Sequence, residues 1–536
     1  MTLRVYCFMI SRKCILSFFV VVLSAVFSAS AKDVNVIPYP QQVECSDRYC
    51  DLGRIRRISY QGQLSHEAVF LSDEFTRRGL KVSLKKGSKS SDRSVALSLD
   101  KSLPAEGYVL KVSENAVMVS GGSAAGVFYG IQTILQQVDA GGLMCGCIVD
   151  SPRYPWRGLM LDEARHFFGM EKVKQMIDLM AYFKLNKFHW HLTDASGWRL
   201  EIFSWPLLTT VGGIGTHSDP DTPAAFYTQR QIKEIIDYAA ARHIEVIPEI
   251  DMPGHASAAT KAYPQFSGGG RSQDRDGFTF NVGKEETYSF LTDVLKEVRA
   301  LFPSQYLHIG GDEVSHGNSE WKTDKHILSL IEKHDLKDPQ GAERYFMQRM
   351  IDTVKVLGRK VVAWDEIVDH DVDKDNTIIM WWRHNKPQYL VNSLSGGFST
   401  ILCPRSPMYF DFKQYKTHKL GPKWKVFCTL DSVYAFPDST LDPLGFSKEQ
   451  LANIKGIQAN VWTEYMHNEQ RLDYMVYPRI CALAESAWTN GANKDFDSFT
   501  QRLEPVYKLF DEFGLYYFDA RQPERRPEVD IPVIKK

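Results

Sequence analysis

Net charge is nearly absent from this 536-residue chain. Lys and Arg number 64 and Asp and Glu number 65, which leaves a formal charge of -1 at pH 7. A protein that binds nucleic acid or a membrane surface mainly through charge needs a clear excess of Lys and Arg. The balance therefore excludes a strongly electropositive nucleic-acid binder and a broadly basic membrane-surface protein, and we predict no nucleic-acid partner.

Cysteine is scarce as well. Nine are present, and two of them, Cys7 and Cys14, fall in the N-terminal segment discussed next. An odd, sparse set in a large chain excludes a disulfide framework, and Cys145-Gly146-Cys147 lacks the second ligand pair of a zinc site. We predict no metal and no cofactor, and a local disulfide between Cys45 and Cys50 stays open. The seven cysteines after the N-terminal segment are Cys45, Cys50, Cys145, Cys147, Cys403, Cys428 and Cys481.

Apolar runs long enough to span a membrane are missing. Arg4, Arg12 and Lys13 precede an apolar run at residues 15–27, and Ala29-Ser30-Ala31 follows it. Thirteen residues fall short of the ~20 that cross a bilayer, whereas this arrangement is typical of a secretory signal peptide. We predict a signal peptide at residues 1–31, a mature chain without a membrane span, and secretion across one membrane. The sparse cysteines and the lack of an anchoring or lysosomal signal favour a bacterial periplasm.

Residues 32–150 have the pattern of a small α+β domain. Stretches that begin at Ser94 and Tyr108 alternate apolar and polar residues, as half-buried strands do, with a turn at Glu114-Asn115. An apolar stripe at helical spacing runs through residues 124–138. The proline-containing segment at residues 151–155 then marks a domain boundary.

From Trp156 onward, strand patterns alternate with amphipathic helix patterns. Eight apolar strands separated by helices predict a (β/α)8 barrel over residues 151–500 rather than an open sheet. Residues 501–536 are expected to form a C-terminal helix and tail packed on the barrel. The predicted strands cover residues 157–162, 187–193, 245–251, 306–312, 361–366, 377–382, 399–404 and 456–462.

Polar and aromatic residues collect where these strands end. Catalytic groups of such barrels lie at the carboxyl ends of the strands, and these ends combine carboxylates, tryptophans and Arg165. Glycosyl transfer needs an acid for the leaving oxygen and a group that stabilises positive charge at carbon, so the combination indicates glycoside chemistry. Each residue alone also fits a structural role, since strand-end tryptophans and histidines such as His189 commonly belong to the core. Gly310-Gly311 strengthens the case for Asp312-Glu313, because glycine permits close backbone approach.

These residues occur in motifs that resemble glycoside hydrolase family 20, the β-N-acetylhexosaminidases, over nearly the whole mature chain. The most specific motif is HIGGDEV at His308–Val314. GLMLDEARHF, HWHLTDASGWR, PEIDMPGH, AWDE, the Tyr409-x-Asp411 pair and VWTE accompany it in the order of the family. The resemblance implies an exo-acting retaining hydrolase of terminal, non-reducing β-linked GlcNAc or GalNAc. Its partner would be an oligosaccharide or glycoconjugate, whose own 2-acetamido group is the nucleophile.

The resemblance also implies catalytic roles. Glu313 would be the general acid and then the base, and Asp312 would orient the acetamido N–H and stabilise the positively charged intermediate. Tyr409 would donate its hydroxyl to the acetamido oxygen. Asp194 and His255 would form a polar relay toward Glu313.

Substrate-binding roles follow from the same resemblance. Arg165 would bind the 3- and 4-hydroxyls of the terminal sugar, Glu464 the 4- and 6-hydroxyls, and Asp411 a ring hydroxyl. The aromatic wall of the pocket would consist of Trp364, Trp382, Trp424 and Trp462, with Trp424 placed only by its spacing after Tyr409.

One departure from the family pattern follows Asp194. The family usually has an acidic residue and then Gln or Asn there, but this chain has Ala195 and Ser196, which puts in doubt any loop contact at these positions. Two relatives of the main hypothesis stay open, namely release of a disaccharide or of a sulfated GlcNAc. A glycan-binding barrel without catalysis is the alternative of a different class. GlcNAc against GalNAc preference, the natural glycan and the oligomeric state are undetermined by the sequence.

Overall fold

The computed structural model describes residues 34–87, 91–272, 275–314, 319–423 and 426–535. The predicted signal peptide at residues 1–31 and the predicted wall residue Trp424 lie outside the described residues.

The N-terminal domain is a seven-stranded mixed sheet with two helices. Ser65–Arg77 and Ala124–Asp139 are its helices, and the second buries most of its residues, including the predicted stripe through Val127, Ile131, Ile134 and Leu135. The predicted α+β unit is therefore confirmed. In sheet order the strands are Gln42–Tyr49, Met144–Asp150, Tyr108–Val112, Ala116–Gly121, Ser94–Leu99, Arg57–Tyr60 and Ser83–Lys86.

The second domain is a closed barrel of eight parallel strands, which confirms the predicted (β/α)8 architecture. We number these strands 1 to 8 in chain order, and strand 8 pairs with strand 1 to close the ring. Several strands end one or two residues before the predicted limit, because the last residues turn out of the ladder to build loops at the rim. In chain order the strands are Trp156–Asp162, Lys187–His191, Glu245–Met252, Tyr306–Gly310, Lys360–Trp364, Thr377–Trp381, Ser399–Leu402 and Ile454–Val461.

Helices surround the barrel and bury their apolar faces against it. Met170–Tyr182 buries Val173, Met176, Ile177 and Met180. Gln229–Ala240 begins at a capping box, in which Thr228 and Gln231 satisfy each other's backbone N–H groups. The longer remaining helices are Glu285–Leu301, Lys325–Lys333, Pro339–Val356, Pro387–Ser395, Glu469–Val476 and Arg479–Trp488.

A buried ion pair and a buried hydrogen bond join the two domains. Arg157 on strand 1 is fully buried, and its guanidinium lies 2.8 Å from the Glu106 carboxylate of the N-terminal domain. The indole of Trp488 donates to Asp150 at 2.9 Å. A buried charge is tolerated only when it is paired, so these contacts define one orientation of the barrel on the sheet.

The C-terminal helix runs from Phe496 to Glu512. The predicted boundary at residue 501 lies inside it, because the helix begins where the Asp495 side chain accepts from the Ser498 N–H. Arg502 binds Glu485 of the preceding barrel helix at 2.6 Å, so this helix packs on the barrel.

The seven cysteines in the described part of the chain form no disulfide, and the open Cys45–Cys50 pairing is not made. Among the described residues, no helix is both long enough and apolar enough to cross a bilayer.

Candidate active site

A cavity of about 290 Å³ lies at the carboxyl ends of the barrel strands. Ten of the twelve predicted site residues line it, while Asp194 lies behind His255 and Trp424 is outside the described residues. The predicted residues that line the cavity are Arg165, His255, Asp312, Glu313, Trp364, Trp382, Tyr409, Asp411, Trp462 and Glu464.

Five lining residues were not predicted from the sequence. Phe412 and Tyr465 directly follow predicted residues, and Arg405 follows strand 7, so the strand-end rule places all three near the rim. His217 and Pro422 come from loops, which carry no periodic signal.

The two glycines at the end of strand 4 allow the predicted catalytic pair, Asp312 and Glu313, to face the cavity. Gly310 has φ +66°, and a Cβ there would lie 1.7 Å from an Asp251 carboxylate oxygen. Gly311 has φ +92°, and its Cβ would lie 2.9 Å from the Met347 methyl. Only glycine fits these positions without strain, so the chain turns sharply here and delivers Asp312 and Glu313 together.

Asp312 and Glu313 are adjacent in sequence but differ in environment. The Asp312 side chain is 12% exposed, whereas the Glu313 side chain is 41% exposed. Glu313 also has φ +53°, an uncommon value for a residue other than glycine. The Asp312 carboxylate therefore lies deep in the cavity, whereas the Glu313 carboxylate can reach a leaving group at the cavity mouth.

Burial raises the pKa of Asp312 to about 6, and the His255 imidazole partly opposes that shift. The His255 Nε2 atom lies 3.4 Å from Asp312 and 3.7 Å from Glu313. The Asp312 carboxyl group is consequently mostly ionised at neutral pH.

His255 links Asp312 and Glu313, the predicted catalytic pair, to Asp194. Its Nδ1 atom is 3.2 Å from an Asp194 oxygen. Burial by itself would lower the pKa of His255, but Asp194 and then Asp312 raise it to about 9. The imidazole is therefore a cation at neutral pH and lies between carboxylates, which is the geometry expected of the predicted relay.

Asp194 itself is held by three cationic groups. Burial would raise its pKa, but Arg165, followed by His255, holds that pKa well below its usual range. Arg165 Nη2 and His191 Nε2 both lie 2.9 Å from one oxygen of Asp194. Asp194 is thus a fixed anion that orients His255 from behind the cavity wall.

Arg165 and Glu464 close one end of the cavity. The Arg165 guanidinium lies 3.2 Å from Asp162, 3.6 Å from Glu464, and 4.9 Å from the centre of the Trp462 ring. With this many partners the guanidinium is held in one orientation, in which its donors can meet vicinal hydroxyls.

Aromatic rings form the remaining wall. The indoles of Trp364 and Trp382 each donate at 3.0 Å, to Glu249 and Glu366 respectively. Tyr409 lies parallel to Trp382, with ring centres 6.3 Å apart. Burial raises the pKa of Tyr409 well above its ordinary value, so its phenol stays protonated and can donate a hydrogen bond.

Six polar atoms of the lining residues are buried and have no hydrogen-bond partner within the described protein. They are Arg165 Nε, His217 Nδ1, His255 Nε2, Asp312 Oδ1, Asp411 Oδ1 and Trp462 Nε1. Buried polar groups are nearly always paired, and this mixture of donors and acceptors matches the hydroxyl and amide groups of an amino sugar.

Beneath the site, Glu249 on strand 3 gathers a buried network. Its carboxylate lies 2.9 Å from His189 and from His308, 2.5 Å from His191 and 3.0 Å from the Trp364 indole. His191 also contacts Asp194, so the network connects the floor of the cavity to the Asp194–His255 relay. The sequence predicted a core position for histidines such as His189, which agrees with their burial, but it did not predict this connection.

The sequence departure after Asp194 forms a tight turn. Thr193–Asp194 pairs with Gly197–Trp198 as a two-residue hairpin, and Ala195 and Ser196 connect the two strands. Both are buried, so these positions pack inside the rim.

Comparisons with known proteins agree with this geometry. The family model "Glycosyl hydrolase family 20, catalytic domain" matches residues 154–491, and "Glycosyl hydrolase family 20, domain 2" matches residues 33–151. The chain is 34% identical to a β-hexosaminidase of Porphyromonas gingivalis over 91% of its length but spans only 64% of that relative. It is also 34% identical to a β-N-acetylhexosaminidase of Cellulomonas fimi over 91% of this chain and 97% of that one.

A solved structure is similar throughout. The exo β-N-acetylglucosaminidase of Vibrio harveyi in complex with N-acetylglucosamine superposes with a TM-score of 0.82 at 31% identity, covering 92% of this chain and 80% of that one. Together with the two matched domains and the strand-end carboxylates, these similarities show that the chain belongs to glycosyl hydrolase family 20.

Proposed function

We propose that the chain is an exo-acting, retaining β-N-acetylhexosaminidase that removes terminal, non-reducing β-linked GlcNAc or GalNAc. The observation that carries the proposal is the unequal burial of two adjacent carboxylates, 12% for Asp312 and 41% for Glu313, within an aromatic cavity. Two protein carboxylates on opposite faces of a sugar are the usual arrangement for hydrolysis. Here neighbours in sequence project into one cavity, which suits a nucleophile supplied by the substrate.

In the first step, Glu313 donates its proton to the glycosidic oxygen while the acetamido oxygen attacks C1. The C1–O bond breaks, the aglycone leaves as an alcohol, and a cyclic oxazolinium forms. The Asp312 carboxylate accepts a hydrogen bond from the acetamido N–H and faces the positive charge of the oxazolinium. The Tyr409 hydroxyl donates a hydrogen bond to the acetamido oxygen. Holding the nucleophile in place in this way contributes on the order of 7–11 kcal/mol at best.

In the second step, the Glu313 carboxylate takes a proton from water, and the resulting hydroxide attacks C1 and opens the ring. Both displacements occur with inversion at C1, so the product retains the β configuration. Glu313 is protonated again and can start another cycle.

The remaining lining groups hold the terminal sugar. Arg165 and Glu464 lie 3.6 Å apart and can share its ring hydroxyls, while Asp411 accepts from another hydroxyl. The tryptophan faces pack against its C–H groups and the acetamido methyl. A cavity closed by the Arg165–Glu464 pair admits a chain end, which supports exo action.

Two aryl glycosides test the proposal. Hydrolysis of an aryl β-N-acetylglucosaminide should be readily measured, and the matching β-glucoside should be almost inert because it lacks the acetamide. Equal rates on both substrates would refute substrate-assisted catalysis. No hydrolysis of either would instead favour the glycan-binding alternative.

A sulfated GlcNAc is the less favoured substrate of the same site. Glu464 is only 19% exposed, and its carboxylate would repel a sulfate at the 4- or 6-position.

We further propose that the protein is secreted and periplasmic. The support is the sequence of residues 1–31, with its basic start, short apolar run and small residues. N-terminal sequencing of the mature protein from fractionated bacteria should begin near Lys32. An intact Met1 in the cytoplasmic fraction would contradict this assignment.

A further inference from the structure

A second cavity lies at the opposite end of the barrel, where the strands begin. Its volume is about 270 Å³. Strands 1, 2, 4, 5, 6, 7 and 8 all contribute a residue at or next to their first position, so the cavity is the amino-terminal mouth of the barrel. It is lined by Pro155, Trp156, Lys187, Tyr306, Lys360, Lys374, Asp375, Thr377, Ile378, Ser399 and Lys455.

Four of the lining residues are lysines. Among the residues that line this cavity in the described chain, Asp375 is the single carboxylate, and Glu245 beside the mouth pairs with Lys187. Asp375 likewise pairs with Lys374 at 3.3 Å. Two acids thus offset two of the four ammonium groups, whereas the chain as a whole is balanced at a charge of -1. Like charges brought together repel one another, so an uncompensated cluster attracts an anion.

Two of these ammonium groups donate to backbone carbonyls. Lys455 Nζ donates to the Ala452 carbonyl at 2.7 Å, and Lys360 Nζ donates to the Asp375 carbonyl at 3.1 Å. Carbonyl oxygens orient an ammonium group without neutralising it, and each ammonium has two further protons to donate. Both groups are therefore positioned donors with their charge intact.

Thr377 supplies an independent sign of a ligand. Its side chain is 1% exposed and lines the cavity, yet its Oγ1 atom has no hydrogen-bond partner among the described residues. An unpaired buried hydroxyl is unfavourable in a folded protein. A hydroxyl at the base of a lysine-rimmed cavity can donate to an oxyanion.

We propose that this mouth is a binding site for a phosphate or sulfate group, either free or carried by a molecule of monosaccharide size. Lysine binds phosphate as a point charge without the planar geometry that arginine needs, which suits four ammonium groups arriving from different strands. The site is separate from the catalytic cavity and does not depend on the proposed hydrolysis.

Calorimetric titration of the whole protein with inorganic phosphate tests the site. At pH 7, with ionic strength held constant by NaCl, the wild type should show saturable binding of one phosphate per chain. The double variant Lys360→Gln/Lys455→Gln should bind about tenfold more weakly or not measurably, since two positive charges are lost. Saturable binding that is equally tight in the double variant would overturn the proposal, as would an absence of binding to the wild type.

A second pair of lysines provides the matched control. Lys174 and Lys296 are not among the lining residues, and they pair with Glu234 at 2.7 Å and with Asp293 at 3.2 Å. Lys174→Gln/Lys296→Gln changes the net charge by the same amount and should leave phosphate binding unchanged. Equal weakening in both double variants would show that the anion responds to overall charge rather than to this cavity.

Thr377→Val tests whether phosphate is bound through specific contacts in the cavity or only through the positive charge of the mouth. Valine has nearly the same shape and removes the unpaired hydroxyl, so the thermal midpoint should stay the same or rise. Phosphate affinity should nevertheless fall several-fold with no change in charge. Unchanged affinity in this variant would contradict the role of Thr377.

Sugar phosphates distinguish the source of the anion. If the site takes a phosphorylated sugar, glucose 6-phosphate should bind more tightly than inorganic phosphate, with glucose inert. Equal affinities would assign the site to the free ion. Hydrolysis of an aryl β-N-acetylglucosaminide should be the same in all these variants, which verifies their folding.

Discussion

Replacement of Glu249 by Gln tests whether the buried network beneath the active site supports both the fold and the reaction. The Glu249 carboxylate is fully buried and accepts from His191 and Trp364, and ring nitrogens of His189 and His308 lie 2.9 Å from it. Burial would raise its pKa, but the three imidazoles, led by His308, hold that pKa well below its usual value. Gln keeps the shape and removes the charge, and its NH2 group would face an N–H donor.

The expected loss of stability follows from this geometry. Removing one partner of a buried ion pair destabilises a protein by about 3–5 kcal/mol, so we expect the free energy of unfolding at pH 6 to fall by about 3 kcal/mol. Catalysis should suffer as well, because Glu249 positions the Trp364 floor and His191, which contacts Asp194. We expect kcat/KM for an aryl β-N-acetylglucosaminide to fall at least about tenfold, or about 1.4 kcal/mol in barrier.

The pH dependence of the stability difference provides a second test. Because the pKa of Glu249 is lowered in the folded protein, its ionised carboxylate adds to the free energy of unfolding. That stabilisation is fully present above the ordinary pKa of glutamate and is lost as the pH falls through the lowered value. Burial alone would lower the pKa of His191, but Glu249 and Asp194 raise it to about 10. The stabilisation from protonated His191 is fully present below the ordinary histidine pKa and is lost as the pH rises toward 10. The difference between wild type and variant should therefore be largest at about pH 5–6.5.

Urea denaturation and steady-state kinetics measure both effects, and Glu245→Gln is the control. Glu245 lies four residues earlier on the same strand, pairs with Lys187 at the opposite end of the barrel and is 26% exposed. Loss of the Glu245 charge should change the free energy of unfolding by less than about 1 kcal/mol and leave kcat/KM unchanged. If Glu249→Gln behaves like this control, the carboxylate does not hold the network and the reasoning is wrong.

Three further predictions concern the cavity and the turn below it. Glu313→Gln should lower kcat/KM for unactivated oligosaccharides by ~10²–10⁴ and affect aryl glycosides with good leaving groups less; an equal loss on both would show that Glu313 is not the acid. The acidic limb of the kcat/KM profile should have an apparent pKa near 6, because Asp312 acts ionised and its pKa is raised to about 6. His255→Gln should move that limb to higher pH, since His255 is the main group lowering the pKa of Asp312, and an unmoved limb would refute the assignment. Gly310→Ala should lower the thermal midpoint far more than Gly445→Ala; both have φ near +65°, but only the first would place its Cβ 1.7 Å from a buried carboxylate, so equal losses would assign the effect to φ alone.

Periodicity along the chain was sufficient to predict the barrel. Each of the eight strands is a short apolar run followed by a helix pattern, and parallel strands joined in this way have few alternatives to closure. The same rule placed Asp312, Glu313, Arg165 and Glu464 on one rim, because the carboxyl ends of all eight strands meet there. These predictions depend only on residues that are close in sequence.

Tertiary structure decided what depends on distant residues. The burial that separates Asp312 from Glu313 comes from His255 and the cavity walls, and no local pattern reports it. His217 and Pro422 reach the cavity through loops, whose paths follow no period. The lysines of the amino-terminal mouth are single residues at or shortly before the starts of different strands, and only closure of the barrel brings their charges together. Residue type and spacing thus specify which groups each strand delivers, whereas exposure, proton affinity and shared contacts arise once strands far apart in the chain lie side by side.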